Sequence, residues 1–190
     1  MLARSLCHGD NCYYLPNARF RGYPCKTNTV SNTAFRGFGG PQGMIVIETV
    51  LEHIAHHLGQ SLDDIRKVNY YGQDDRNQTP YGQIINDNII EEMVDQLTNE
   101  IDYEDRQKAI DKFNADNQTL KKGIAVMPIK FGISFNMPAL NQAGALVHVY
   151  TDGSVHLNHG GTEMGQGLFT KVAQVVATVF QIDIDNIKIS

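Results

Sequence analysis

Apolar residues recur at helical spacing through the middle of the chain. The stretch from Met44 to Leu58 carries them three or four residues apart, and Gly59 is a suitable helix stop. A shorter helix is predicted over Leu62 to Tyr70, with Ser61 as its N-terminal cap. The first strongly periodic part of the chain is therefore predicted to be helical.

The helical pattern continues with two more segments. Ile89, Met93, Leu97 and Ile101 follow one another at four-residue steps with acidic residues between them, which predicts an amphipathic helix. Another helix is predicted from Tyr103 to Ala115. We expect the acidic faces to be solvated, in preference to the alternative of an acidic docking site.

The last third of the chain changes to the period of strands. Gly123–Phe135 is rich in Ile, Val and Phe and is predicted as a strand. Two alternating runs, Ala145–Tyr150 and Ser154–His159, flank an Asp-Gly pair, which is typical of a hairpin with a type I′ turn. A helix from Leu168 to Val179, entered from a glycine-rich turn, then precedes a strand that begins at Ile187.

These elements predict an α+β fold with a helical middle and a C-terminal part made of a β-hairpin and a strand-helix-strand unit. The predicted divisions are a loop and short-strand segment over 1–43, a helical segment over 44–118, and the hairpin with its helix over 119–190. The chain opens as if in the middle of a loop and closes within a strand. We therefore expect all three to be parts of one incomplete domain of a larger protein.

Composition narrows the classes of function. The chain has 190 residues, 42% hydrophobic and 19% charged, as an ordinary globular protein does. A net charge of −5 argues against a nucleic-acid partner. No apolar run suggests a membrane span or a signal peptide, which predicts a cytoplasmic location. Cys7, Cys12 and Cys25 are expected to be free thiols; a zinc site with His8 is the weaker alternative, because no C-x-x-C pair exists.

The first candidate site is SNTAFRGFGGPQGM, residues 31–44, where four glycines surround Arg36 and Phe38 just before a helix. Glycines let the backbone approach a ligand closely, and a helix N-terminus offers N–H groups to anions or polar rings. The spacing misses the dinucleotide fingerprint, since Gln42 stands at its third glycine. The alternative is a tight loop with a buried Phe and a surface Arg.

The second candidate site is GGTEMGQGLFTK, residues 160–171, another glycine loop that leads into a helix. Gln166 and Gly167 replace the Lys-Ser/Thr of a P-loop, so no nucleotide triphosphate site is predicted. The amide of Gln166 and the bare backbone at Gly165 and Gly167 suit a heterocycle with mixed donors and acceptors. Glu163 is either a base or, more simply, an acid that favours the helix dipole.

Other familiar chemistries find little support. His53, His56 and His57 share one helix, but the glutamate of H-E-x-x-H is absent, so solvated imidazoles are favoured over a metal site. Neither loop supplies a Ser or Cys with an evident base, so a hydrolytic triad is not predicted.

The run NTAFRGFGGPQGM, together with KFGISF and LNQAGALVHVYTDGSVHLNHGGTEMGQGL, resembles the molybdenum-binding subunit of the xanthine dehydrogenase family. The resemblance covers nearly the whole chain, and aldehyde oxidases are the nearest relatives of this family. It implies hydroxylation of purines, hypoxanthine to xanthine to urate, with water-derived oxygen at a molybdopterin cofactor. It also implies that electrons pass to iron–sulfur clusters, FAD and NAD. The iron–sulfur and FAD domains or subunits, and the rest of the molybdenum subunit, would then be partners of this chain.

The resemblance also assigns cofactor contacts to individual residues. It implies that Arg36 lies in the loop near the molybdenum centre without ligating the metal. Gly165 and Gln166 would contact the molybdopterin, and Gly167 would open the helix beside it.

For the substrate, the resemblance implies that Phe38 and Phe135 enclose the ring. Asn136 stands where many relatives have Thr, so a hydrogen bond from this position to substrate is the less certain part of the assignment. The general-base glutamate of the family has no counterpart, so no catalytic residue is predicted here. The alternatives are an aldehyde oxidase type of molybdenum hydroxylase, or a structural or interaction module without cofactor contact.

Overall fold

The computed structural model describes all 190 residues and divides them into two compact units, Met1–Ile133 and Ser134–Ser190. The first unit is helical, and the second contains a small sheet with one helix, which confirms the α+β prediction. None of the helices has both the length and the apolar character needed to cross a lipid bilayer.

Five helices build the first unit. They are α1 (Leu2–Cys7), α2 (Gly40–Leu58), α3 (Leu62–Asn69), α4 (Ile90–Glu100) and α5 (Tyr103–Asp116). The hydroxyl of Ser61 caps α3 by accepting a hydrogen bond from the backbone N–H of Asp63, and Gly59 ends α2 in the left-handed conformation, both as predicted. The helical middle of the chain is therefore confirmed.

Three local predictions are wrong. Residues 2–7 form α1, where a loop and short strand were expected, and α2 begins at Gly40 instead of Met44. Gly123–Phe135 is not a strand. Its backbone bonds to side chains instead: the carbonyl of Pro128 accepts from the Asn11 amide, 3.1 Å away. Because no strand lies beside this segment, its alternating apolar residues have no ladder to join.

The core of the first unit forms along one stripe of α2. Ile47, Leu51 and Ala55, spaced four residues apart, are buried, whereas Val50 and Ile54 of the same predicted helix are exposed. The buried stripe packs with residues from the loop after α1, from α3 and from the start of α4; this cluster comprises Cys12, Tyr13, Ile65, Tyr70 and Ile90.

A carboxylate on the same helix ties these elements together. Glu48 Oε2 accepts two hydrogen bonds from the Arg66 guanidinium, at 3.0 and 2.8 Å. Its Oε1 accepts from the Tyr13 hydroxyl at 2.5 Å and from the Asn11 amide at 3.1 Å. Arg66 also donates to the carbonyl of Val126 at 3.3 Å. One largely buried acid, with 12% of its side chain exposed, thus connects α2, α3, the loop after α1 and the extended segment.

A second polar cluster lies under the same segment. Asp10 is 1% exposed, and its Oδ2 accepts from the Tyr71 hydroxyl at 2.5 Å and pairs with the Lys130 ammonium. The Lys130 nitrogen also lies 5.0 Å from the Tyr71 ring centroid and 5.4 Å from that of Tyr81. The ion pair fixes Lys130, and with it the path of the chain two residues before Gly132.

The second unit is a three-stranded sheet with one crossover helix. β1 (Ala145–Val149) pairs antiparallel with β2 (Val155–His159), and β2 pairs parallel with β3 (Ile187–Ile189) after α6 (Leu168–Phe180). The helix packs on one face of the sheet, where the buried core is Val155, Leu157, Ala173, Val176 and Ile187. The predicted hairpin and strand-helix-strand unit are both confirmed.

The hairpin turn differs from the predicted type I′. Gly153 has φ +85° and donates to the carbonyl of Tyr150 at 3.0 Å, but Asp152 is not left-handed. The Asp152 carboxylate instead accepts from the Ser154 N–H at 2.9 Å. This is a three-residue loop with a single left-handed glycine, the second common way to close a hairpin.

Replacing Arg66 by Met is expected to destabilise the first unit, because it leaves the Glu48 carboxylate buried without its cation. We expect the free energy of unfolding to fall by about 3–5 kcal/mol. Lys67→Met is the matched control, since Lys67 pairs with Asp95 at the surface and such pairs contribute about 0–1 kcal/mol. Urea titration followed by circular dichroism measures both losses, and equal losses would contradict a central role for the buried pair.

Candidate functional site

The first predicted site is a tight left-handed turn at the start of α2. Gly37, Phe38 and Gly39 have φ values of +94°, +50° and +102°. The turn is closed by hydrogen bonds from the Phe38 N–H to the Phe35 carbonyl at 2.7 Å and from the Gly40 N–H to the Gly37 carbonyl at 2.9 Å. Arg36 is exposed and Phe38 is half-buried. The structure therefore places these two predicted site residues on one hydrogen-bonded turn.

The glycines of this turn serve packing against α1. A Cβ on Gly39 would lie 2.3 Å from the Met1 carbonyl oxygen, and one on Gly43 would lie 2.2 Å from that of Ser5. A Cβ on Gly40 would lie 2.6 Å from the Phe131 ring. The close approach expected here is thus an approach of α1 and Phe131 to the helix start, and it holds the Phe38 turn in place.

The second predicted site is the turn between β2 and α6, and Glu163 organises it. The Glu163 carboxylate accepts backbone hydrogen bonds from Gly165 at 2.7 Å, Gly167 at 3.1 Å and Phe169 at 3.2 Å. These hydrogen bonds hold the pKa of the Glu163 carboxyl below its ordinary value, and the bond from Phe169 has the largest effect. A carboxylate that is ionised and already bonded is a poor proton acceptor. Glu163 lies before the first turn of α6, where no acidic residue stands, and its carboxylate instead accepts from backbone N–H groups at the helix start.

The Gln166 amide is only partly used by its own turn. Its Oε1 accepts from the Met164 N–H at 2.6 Å, and its Nε2 donates to the Thr162 carbonyl at 2.8 Å. A primary amide has two N–H groups and two lone pairs, so one of each remains for a ligand. The side chain is held by two bonds and still presents the mixed donor and acceptor pair that the sequence suggested.

The backbone beside this amide is open. Gly165 and Gly167 have φ values of +91° and +74°, which favour glycine. A Cβ added to Gly167 would meet no atom within 4 Å. The space that a side chain would occupy is therefore free for a planar ligand. The open backbone and the oriented amide together fit a pterin, a flat heterocycle with donors and acceptors along its edge.

The predicted substrate residues Phe135 and Asn136 lie on a loop at the start of the second unit. The Phe135 N–H donates to the Asn141 side-chain oxygen at 2.7 Å, and the Asn141 amide donates to the Phe135 carbonyl at 3.0 Å. Phe135 is 46% exposed and Asn136 is also exposed. Asn141 thus fixes the backbone of Phe135 and leaves its ring at the surface of this unit.

The residues considered for other chemistry are placed differently. No group of three or more His, Cys, Asp or Glu side chains is arranged to hold a metal ion, and His53, His56 and His57 lie exposed on α2. No disulfide forms. Burial raises the pKa of the Cys12 thiol to about 12, which makes it unreactive.

A cavity of about 550 Å³ lies in the first unit, between α3, α4 and α5. Its wall carries carboxylates of all three elements, among them Asp63, Asp95 and Glu104, together with Lys67. The Asp63 carboxylate is already engaged with Arg66 and with the Tyr103 hydroxyl. The acidic side chains of α4 and α5 are exposed, as expected for solvated faces.

Sequence reasoning missed the surroundings of His8, which it weighed only as a zinc ligand. In the structure both ring nitrogens of His8 form hydrogen bonds, to the Arg4 carbonyl and to the Gly132 N–H. No local pattern in the sequence signals this arrangement, because Gly132 lies 124 residues from His8.

Two domain models and several known proteins are similar in sequence to this chain. Models of the molybdopterin cofactor-binding domain match residues 1–70 and 96–190. A nicotinate hydroxylase of Emericella nidulans is 48% identical over 98% of the chain. Xanthine dehydrogenases of Blastobotrys adeninivorans and Dictyostelium discoideum are each 46% identical over 100% of it. The chain spans about 14% of the length of each of these relatives.

Two solved structures share the fold at low sequence identity. Quinoline 2-oxidoreductase from Pseudomonas putida 86 matches 83% of this chain, and 21% of its own, with a TM-score of 0.57 and 20% identity. The Cu,Mo-CO dehydrogenase matches 80% of this chain, and 21% of its own, with a TM-score of 0.50 and 21% identity. The two domain models together match more than half of the chain, and the chain therefore belongs to the molybdopterin cofactor-binding domain family.

Proposed function

We propose that this chain forms part of the cofactor and substrate walls of a molybdenum hydroxylase that converts hypoxanthine to xanthine and xanthine to urate. The observation that carries the proposal is the β2–α6 turn, where the fixed Gln166 amide keeps one donor and one acceptor beside open glycine backbone. Identity of 46% to two xanthine dehydrogenases supports purines as the substrate class.

Four residues would hold the cofactor. Gln166 would pair with the polar edge of molybdopterin, and the bare backbone at Gly165 and Gly167 would lie against it. The exposed guanidinium of Arg36 would lie near the molybdenum centre. When bound, this group supplies a metal that accepts two electrons while oxygen from water enters the substrate.

The substrate ring would be held by aromatic side chains. Phe38 is presented by the left-handed turn at the start of α2, and Phe135 by the loop that Asn141 closes. Aromatic contacts to a flat heterocycle add about 0.5–1.5 kcal/mol beyond the area they bury. Asn136 follows Phe135 and would offer its amide to the rim of the same ring.

The residues of this chain supply no general base for the reaction. A base must come within about 2.6–3.2 Å of the proton that it removes, and it must be able to accept that proton. Glu163 is the one acid in either turn, and its oxygens already accept from the backbone N–H groups of Gly165 and Phe169. The base would therefore belong to another part of the protein. The iron–sulfur clusters and FAD would lie on other domains or subunits, and the enzyme would be cytoplasmic.

Nicotinate is the second candidate substrate. The nicotinate hydroxylase of Emericella nidulans is 48% identical to this chain, as similar as the xanthine dehydrogenases. Nicotinate is also a flat nitrogen heterocycle, but it carries a carboxylate that purines lack. Steady-state kinetics of the full-length protein with hypoxanthine, xanthine and nicotinate distinguishes the two, and a higher kcat/KM for nicotinate would overturn the purine assignment.

Gln166→Ala in the full-length protein is expected to lower molybdenum content or turnover by up to about tenfold, because it removes one donor and one acceptor from the cofactor edge. Metal analysis and steady-state kinetics measure the two effects. Gln174→Ala, an exposed substitution on α6, is the control and should leave both unchanged. Unaltered metal content and turnover in Gln166→Ala would rule out this contact.

Phe38→Ala and Phe135→Ala are each expected to raise the KM for the heterocycle about threefold to tenfold, since each removes one aromatic contact with the ring. Phe180→Ala, a comparably exposed aromatic substitution at the end of α6, serves as the control. If both Phe38 and Phe135 variants keep the parent KM, these rings do not enclose the substrate.

Glu163→Ala is expected to weaken the second unit at neutral pH, because the first turn of α6 loses its acceptor. The folded-state pKa of Glu163 is lowered, so its stabilising effect is present above about pH 4.5 and is lost as the pH falls through the folded value. Thermal unfolding of the parent and the variant across pH 3–7 should therefore give curves that converge in acid. A constant difference across this range would contradict the capping role.

A further inference from the structure

His8 lies at the C-terminal end of α1 and is 2% exposed. The His8 ring contacts two parts of the first unit, which are the first residue of α2 and the extended segment that follows α5. A Cβ added to Gly40 would lie 3.6 Å from His8 Cγ. The Phe131 ring centroid lies 4.8 Å from that of His8. His8 is thus in contact with the start of the helix that carries the Phe38 turn.

The hydrogen bonds of His8 define its protonation state. Its Nδ1 lies 2.8 Å from the Arg4 carbonyl oxygen, which can only accept a hydrogen bond. Its Nε2 lies 3.1 Å from the Gly132 backbone nitrogen, which can only donate one. The ring is therefore neutral, with its proton on Nδ1 and a lone pair on Nε2. A doubly protonated ring could not accept the Gly132 bond.

Phe131 completes the contact with α2. A Cβ on Gly40 would lie 2.6 Å from the Phe131 ring, so the ring rests directly on the helix start. The Arg4 guanidinium lies 5.0 Å from the Phe131 ring centroid and donates to the Gly132 carbonyl. His8 and Arg4, one helical turn apart, together hold Phe131 against Gly40.

The position of Gly40 is transmitted to the Phe38 turn through a short path. The Gly40 N–H donates to the Gly37 carbonyl at 2.9 Å, and Gly39 between them is fixed against the Met1 carbonyl. A displacement of Gly40 therefore moves Phe38. We propose that His8, in its neutral form, is a positioning residue that holds the Arg36–Phe38 turn through Gly40 and Phe131. This inference rests on the proposed function, which makes that turn part of the substrate wall.

Protonation of His8 breaks this arrangement. The charged groups that face it are Arg4 on its own helix, Lys130 on the extended segment and Asp10 on the loop after α1. The first turn of α2, Gly40–Gly43, carries no ionisable side chain. Burial, opposed by the hydrogen bond to Arg4, lowers the pKa of His8 below its ordinary 6.5. The neutral form is therefore kept at pH 7, and the Gly132 bond is lost as the pH falls through the folded pKa, which lies below 6.5.

The test uses the full-length, molybdenum-loaded protein and measures KM for its heterocyclic substrate from pH 5 to 8. His8→Phe keeps a ring against Gly40 and Phe131 but loses both hydrogen bonds, and it should raise KM about tenfold at pH 7.5 with a smaller change in kcat. His8→Gln retains an acceptor for Gly132 and does not titrate. It should stay within about threefold of the parent KM and lack the rise in KM that the parent shows below pH 6.5.

His57→Gln, an exposed substitution at the end of α2, is the matched control and should behave as the parent. The proposal is overturned if molybdenum-loaded His8→Phe has the same KM as the parent. It is also overturned if the KM of His8→Gln rises below pH 6.5 as that of the parent does. If His8→Phe does not accumulate in the loaded form, the pH profile of His8→Gln decides.

Amide hydrogen exchange separates this proposal from the proposed function. In His8→Phe, peptides that contain Phe38, Gly40 and Gly132 should exchange faster than in the parent, whereas those of α6 should not change. This readout needs no substrate. If the parent protein hydroxylates no heterocycle, the proposed function is rejected, and hydrogen exchange alone tests the positioning role of His8. If exchange at Phe38, Gly40 and Gly132 is the same in His8→Phe as in the parent, the positioning role is rejected.

Discussion

The buried pair between Glu48 and Arg66 is the interaction on which the first unit depends. Two facing side chains, one on α2 and one on α3, are removed from solvent, and the Tyr13 hydroxyl and the Val126 carbonyl complete their hydrogen bonds. An ion pair in such a place is tolerated only when its remaining donors and acceptors are met. The elements that meet them are therefore fixed relative to α2, including the extended segment that leads to Phe131.

That segment and α1 carry the constraint to the first turn. Gly39 and Gly43 allow the backbone of α1 to approach the start of α2, while Phe131 rests on Gly40. The left-handed backbone at Phe38 is unfavourable for a bulky residue, and it persists because these neighbours hold it. Presentation of Arg36 and Phe38 is thus a property of the packed unit and not of the glycine-rich sequence alone.

The two turns begin their helices in different ways, and this difference bears on their function. The first turn uses its glycines for contact with α1 and Phe131. The second satisfies the N-terminal amides of α6 with the carboxylate of Glu163, which leaves Gln166 half-committed and the backbone at Gly167 open. A pattern of glycines before a helix predicted a ligand at both places, but only the second turn has a glycine with open space around it, Gly167, while Gly161 of the same turn packs against Leu168. At the first turn the groups proposed to face a ligand are the side chains of Arg36 and Phe38.

The sequence by itself determined the elements whose signals are local. Residues close in sequence set the helical period of α2, the cap at Ser61, the stop at Gly59 and the strands around the Asp-Gly pair. The order of the motifs that resemble the family can also be read from the sequence alone. Tertiary structure decided whatever depends on distant partners. Residues 123–135 have the composition of a strand, yet without a neighbouring strand their backbone bonds to Asn11 and His8 instead. Likewise, nothing near His8 in the sequence reveals Gly40 and Gly132, because burial and hydrogen bonding join residues that lie 32 and 124 positions away.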